Sequence, residues 1–109
     1  MTSTLPVSTN GNGSVSQNGK LSELESRVSE RIRARLRERD VSFLANDNVA
    51  DHLLPGELDA LQVEVADRVR DLLNALVIDI ENDHNTAETA ERVAKMYLHE
   101  VFKGRYHQQ

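Results

Sequence analysis

The fold is decided by the stretch Asp79–Tyr106, DIENDHNTAETAERVAKMYLHEVFKGRY. Asn85, with Glu88 three residues on, makes a capping-box pattern, in which each side chain can satisfy an amide that the helix leaves unbonded. Ala90, Val93, Ala94, Tyr97, Leu98, Val101 and Phe102 then recur at spacings of three and four, the apolar face of an amphipathic helix. Lys95 and Lys103 suit the negative end of the helix dipole, and Gly104 is a natural left-handed residue just past a helix end. Together these signals predict one helix from Thr86 to Lys103. The two alanines on its apolar face leave room for the preceding helix to come close.

Ahead of that helix Asp79, Glu81 and Asp83 alternate, followed by His84. A calcium loop of the EF-hand type starting at Asp79 needs glycine at its sixth position and glutamate at its twelfth. His84 and Ala90 stand there instead, which predicts an acidic connection between two helices. His99 projects from the helix toward a polar side with Arg92 and Lys95. No serine or cysteine stands in a relay with it and a carboxylate, so a hydrogen-bonded surface histidine is expected rather than a general base.

Working back toward the N-terminus, a second long helix is expected from Glu57 to Ile78, so that residues 57–106 form a helix pair. Glu57 and Asp59 place negative charge at the positive end of its dipole. Leu58, Leu61, Val65, Val69, Leu72, Leu73 and Leu76 fall on one side, which marks it as a core element. Residues 40–56 form a connecting region. Within it Asn46-Asp47-Asn48 offers turn and cap chemistry, Asn48 to Leu54 can form a short helix, and Pro55-Gly56 breaks the chain. His52 has only Asn48 at helical ligand spacing, so it is expected at the surface or at an interface.

Residues 20–39 read as an arginine-rich amphipathic helix. Ser22 and Glu25 form a capping box, and Leu21, Leu24, Val28, Ile32 and Leu36 make a stripe one residue wide that needs a partner surface. Six arginines lie between Arg27 and Arg39, with Glu30 and Glu38 interleaved and no aromatic residue for base stacking. That pattern predicts a solvated, salt-bridged face more than a nucleic-acid grip. Residues 1–19 are mostly Ser, Thr, Asn and Gly and are expected to be a disordered tail, because they cannot bury enough apolar surface to offset ordering.

Composition narrows the classes further. At 109 residues the chain holds at most one small domain, whose core has little margin. Cysteine is absent, which removes disulfides, thiolate nucleophiles and cysteine-bearing zinc sites from these residues. No apolar run approaches the roughly 18 residues of a membrane span, and the N-terminus lacks a secretory signal pattern, so a soluble cytoplasmic protein is expected. The net charge of −5 divides into +2 over residues 1–40 and −7 over residues 41–109. An acidic C-terminal part is poorly suited to a phosphate backbone.

Asp83-His84-Asn85-Thr86, then Thr89-Ala90-Glu91-Arg92-Val93-Ala94-Lys95-Met96-Tyr97, then Glu100-Val101-Phe102-Lys103-Gly104, resembles the N-terminal signature of GTP cyclohydrolase I. That family carries a D-x-N-x-x-x-T-x-x-R-[VI]-A-K-M-Y pattern leading into an E-[IV]-F-x-G helix end. Phe43 to Asn48, FLANDN, also resembles some members, more weakly. The resemblance implies an enzyme that opens the imidazole ring of GTP by hydrolysis and releases formate. Its product is dihydroneopterin triphosphate, the first step toward tetrahydrofolate-type pterins. It also implies a zinc ion held by two cysteines and a histidine, with a further histidine as proton donor, all downstream of the matched helix. In that family the matched positions are helical scaffold of a ring-like homodecamer with sites between subunits, and the resemblance implies the same role here.

No catalytic, cofactor-binding or metal residue of the family carries over to a position of this sequence. The expected fold is therefore all-α, the helical hairpin-like N-terminal region of the GTP cyclohydrolase I fold without the antiparallel sheet that follows it. This chain, a short product lacking the zinc ligands, is expected to be inactive alone. It is expected to self-associate or to join full-length cyclohydrolase subunits. The alternatives are a helical interaction module that docks on such an enzyme and, further off, a nucleic-acid-binding helix.

Overall fold

The computed structural model describes residues 27–108. The expected tail and the first turns of the arginine-rich helix, with Leu21, Ser22, Leu24 and Glu25, lie outside the described residues. Among the described residues 61% are helical and none lies in a strand, which agrees with an all-α fold. No helix among them is long and apolar enough to cross a membrane.

Helix α1, Val28–Glu38, buries Val28, Ile32 and Leu36, the stripe expected from their spacing of four. It ends in a Schellman motif. The amide of Asp40 donates to the Arg37 carbonyl at 3.1 Å and that of Val41 to the Leu36 carbonyl at 2.9 Å, with Asp40 at φ 56°. Val41 then packs on the core beside Leu36. A loop leads to a 3₁₀ turn, Ala50–His52. Pro55 and Gly56 come next as the corners of a type II turn: Gly56 sits at φ 83°, ψ −10°, and the Glu57 amide donates to the Leu54 carbonyl at 3.0 Å.

Helix α2, Glu57–Ala75, is the element on which the others pack. Contacts Ser29–Glu64 and Arg35–Glu57 run in opposite chain directions, so α1 lies antiparallel to α2. Arg70–Glu91 and Gln62–His99 do the same for helix α3, Thr89–Met96, and the π-helical turn Tyr97–Val101 that continues it. A short helix α4, Lys103–Tyr106, completes the described chain. The main core is Val28, Ile32, Leu36, Val49, Leu61 and Leu98, and a second cluster buries Ala66, Ala90 and Ala94 with Val65 and Val69 packed against them. The alanines of the sequence pattern do bring α3 close against α2.

Three expectations about the ends of these helices are corrected. The helix expected from Thr86 begins at Thr89, because Asp83 accepts the Asn85 amide at 2.9 Å and turns the chain there, so the Asn85–Glu88 capping box does not form. The helix does not run unbroken to Lys103: the Phe102 amide reaches the Tyr97 carbonyl, five residues back, at 2.9 Å. Gly104 lies inside α4 and stops nothing. The left-handed positions that end helices fall on Asp40 and Val77 instead.

The apolar side of α2 is also less buried than its spacing suggests. Leu61 is enclosed, whereas Leu72 and Leu76 are 57% and 60% exposed. Ser29, near the start of α1, already lies beside Glu64, so the described part of α1 reaches no farther along α2.

Candidate functional site

The π-helical turn adds one residue to a turn of helix and re-aims the side chains beyond it. Leu98 points into the core at 2% exposure, and His99 beside it is half-buried. Nε2 of His99 lies 2.8 Å from Oε1 of Gln62 on α2. A carboxamide oxygen only accepts, so the ring proton of His99 sits on Nε2 and its Nδ1 offers a lone pair. Nε2 of His107 lies 2.8 Å from that Nδ1, with the ring centroids 4.9 Å apart. Gln62, His99 and His107 therefore form a polar line from the middle of α2 to the residue after α4.

The chain around His107 is fastened by the loop between α1 and the 3₁₀ turn. Asn48 Nδ2 donates to the carbonyls of Gly104 at 2.8 Å and His107 at 2.7 Å, and its Oδ1 accepts the Ala50 amide at 2.9 Å. Arg105 returns the contact: its guanidinium donates to the carbonyls of Phe43 at 3.0 Å, of Asp47 at 3.3 Å and of Leu44. The Val49 amide donates to the Arg105 carbonyl at 2.7 Å. Asp47 folds the loop by accepting the Ser42 hydroxyl and the Leu44 amide, and these bonds hold its carboxyl below the usual carboxylate range. FLANDN thus acts as a socket for the C-terminal turn.

A second polar contact ties α1 to α2. Arg35 meets Glu57 in a two-pronged pair, at 2.6 and 2.7 Å, with side chains only 14% and 8% exposed. Arg35 also donates to the His52 carbonyl at 2.6 Å, and Glu57 accepts the Leu54 amide at 2.8 Å. The Arg35 hydrogen bond lowers the Glu57 carboxyl from its ordinary value against the opposing cost of burial. Glu57 serves as the anion of this pair, beyond the helix-dipole role read from the sequence.

The other residues singled out in the sequence are dispersed. His52 Nδ1 lies 3.1 Å from Arg39, and His84 stands exposed in the turns before α3. Asp79 accepts from Asn82, while Asp83 accepts from Asn85, so the acids of this loop bond locally and do not converge. Of the arginines, Arg33 pairs with Glu30 and Arg37 lies over the Phe43 ring at 5.9 Å. Much of that cationic face is therefore engaged within the fold.

No three His, Asp or Glu side chains among the described residues converge to hold a metal ion, and the sequence has no cysteine. The sequence given therefore supplies no thiolate for the two cysteine positions of the zinc that the resemblance implies. Gln62, Arg105 and His107 carry no signal in the sequence, because their partners lie 37, 61 and 8 residues away in no fixed helical spacing. Comparison of the chain with protein-family models, curated proteins and solved structures gave no match.

Proposed function

We propose that this chain is the helical N-terminal module of a GTP cyclohydrolase I, and that it serves subunit assembly rather than the ring-opening of GTP. The family part of the proposal rests on the sequence run Asp83–Gly104. A cytoplasmic location belongs to the same proposal. The assembly part is supported by one observation: apolar side chains at the far end of α2 face solvent, with Leu72 57%, Leu76 60% and Val77 91% exposed. Apolar side chains grouped in this way mark interaction surfaces in soluble proteins. The occupant is a second copy of the chain or a complete cyclohydrolase subunit.

The test has two arms. The purified chain with GTP is expected to give no pterin fluorescence, since these residues offer no zinc-bound hydroxide to attack the purine ring. Mixed with complete GTP cyclohydrolase I from the same organism, it is expected to co-elute with the enzyme on a sizing column. Turnover by the chain alone would overturn the scaffold role. A chain that stays monomeric alone and elutes apart from the enzyme would overturn the assembly role.

A further inference from the structure

We propose that His99 and His107 form a binding site for a tetragonal divalent metal ion of the Cu²⁺ class, with Gln62 as its positioning residue. The site is independent of the cyclohydrolase proposal: it uses no cysteine, and His107 lies beyond the matched run. Three features of the structure point to it.

The first is spacing. His99 Nδ1 and His107 Nε2 are 2.8 Å apart. That contact is a hydrogen bond, so binding one ion requires each ring to turn about its terminal side-chain bond, a soft torsion in histidine, until both lone pairs meet it. His107 comes after α4 in extended backbone, φ −118°, ψ 148°, so its ring is not locked within a helix.

The second is the outer partner of His99. Metal-bound histidines characteristically donate their other ring N–H to an oxygen, which fixes the tautomer and the ring plane. Gln62 Oε1, 2.8 Å from His99 Nε2, supplies that acceptor. It leaves Nδ1 as the lone-pair nitrogen before any metal arrives. In the metal-bound form His107 carries its proton on Nδ1 in place of Nε2, an exchange through water with no net change of charge.

The third is location and donor type. His99 sits in a π-helical turn, a distortion that recurs at functional sites. Both donors are imidazole nitrogens, and the outer partner of His99 is a carboxamide rather than a carboxylate. An imidazole pair without carboxylates favours copper over hard cations such as Mg²⁺ or Ca²⁺. Water fills the remaining positions on the ion.

Cu²⁺ alone, titrated into the full chain near neutral pH, is expected to show two equatorial imidazoles by pulsed electron paramagnetic resonance at the first equivalent. His107→Gln and His99→Gln should each reduce the count to one and weaken binding by about tenfold or more. Gln62→Leu should keep two imidazoles but weaken binding by about tenfold, the usual effect of losing an outer partner. His52→Gln and His84→Gln should change neither. Fewer than two imidazoles in the unaltered chain would overturn the proposal, as would two surviving in His107→Gln or a loss in His52→Gln or His84→Gln. Should His99→Gln fail to fold by circular dichroism, the unaltered chain and His107→Gln decide the matter.

Discussion

Val77 stands in left-handed backbone at φ 64° with 91% of its surface exposed. It occupies the left-handed position of the Schellman motif after α2, where its amide donates to the Asn74 carbonyl at 2.9 Å and that of Ile78 to Leu73 at 3.2 Å. A β-branched residue carries a steric cost there of about 1–2 kcal/mol, partly offset by the extra unfolded-state freedom of glycine. Val77→Gly should therefore stabilise the fold by about 1 kcal/mol, seen as a higher urea midpoint with an unchanged slope. Asp40, in the same position after α1, tolerates this backbone better, so Asp40→Gly should gain less. At Glu57 the expected change is a loss. Glu57→Gln leaves Arg35 without its counter-ion while keeping one oxygen to accept from it, at a cost of about 1–3 kcal/mol, read from thermal or urea unfolding. The carboxyls of Glu57 and Asp47 are both depressed in the folded chain, the first chiefly by Arg35 and the second chiefly by Ser42. Their contribution is therefore fully present above their ordinary values near about pH 4 and is lost as pH falls through the lower folded values. An acid titration of stability should fall below about pH 4, and that fall should shrink in Glu57→Gln.

At the scale of elements, the decisive contact is the alanine seam between α2 and α3. Ala90 and Ala94 are 1% and 0% exposed and meet Ala66. Ala94→Leu would force three extra carbons into that seam and should destabilise the fold by about 1–3 kcal/mol or more, measured as a lower melting temperature. This seam was legible in the sequence, as was the stripe Val28, Ile32, Leu36, because both depend only on helical periodicity. The ends of the elements were less legible. Asn85 has the chemistry of a cap, but the carboxylate of Asp83 takes its amide first. Gly104 has the chemistry of a stop, but the π-helical turn before it has already broken the register. The His99–His107 pair depends on that extra residue, and its third member, Gln62, comes from another helix. No local pattern announces such a meeting.

At the scale of the molecule, α2 holds α1 and α3 antiparallel to itself, and Arg105 locks the last turn onto the loop after α1. Arg105→Ala removes three carbonyl contacts at once, and hydrogen exchange at the Val49 amide, which donates to the Arg105 carbonyl, should rise well before α2 opens. The far end of α2 is different in kind. Leu72 and Leu76 are one turn apart, both more than half exposed, and continue the side of the helix that is buried at Leu61. If they serve only as surface, Leu72→Glu with Leu76→Glu should leave both stability and association unchanged. If they meet a second copy, the same change should leave the stability of the separate chain within about 0.5 kcal/mol, as exposed substitutions do, while weakening self-association by tenfold or more. Sedimentation velocity over a concentration series distinguishes the two, and the expected result is a dimer or larger species in the unaltered chain that dissociates in the variant. An unaltered chain that remains monomeric throughout would remove the second-copy interface.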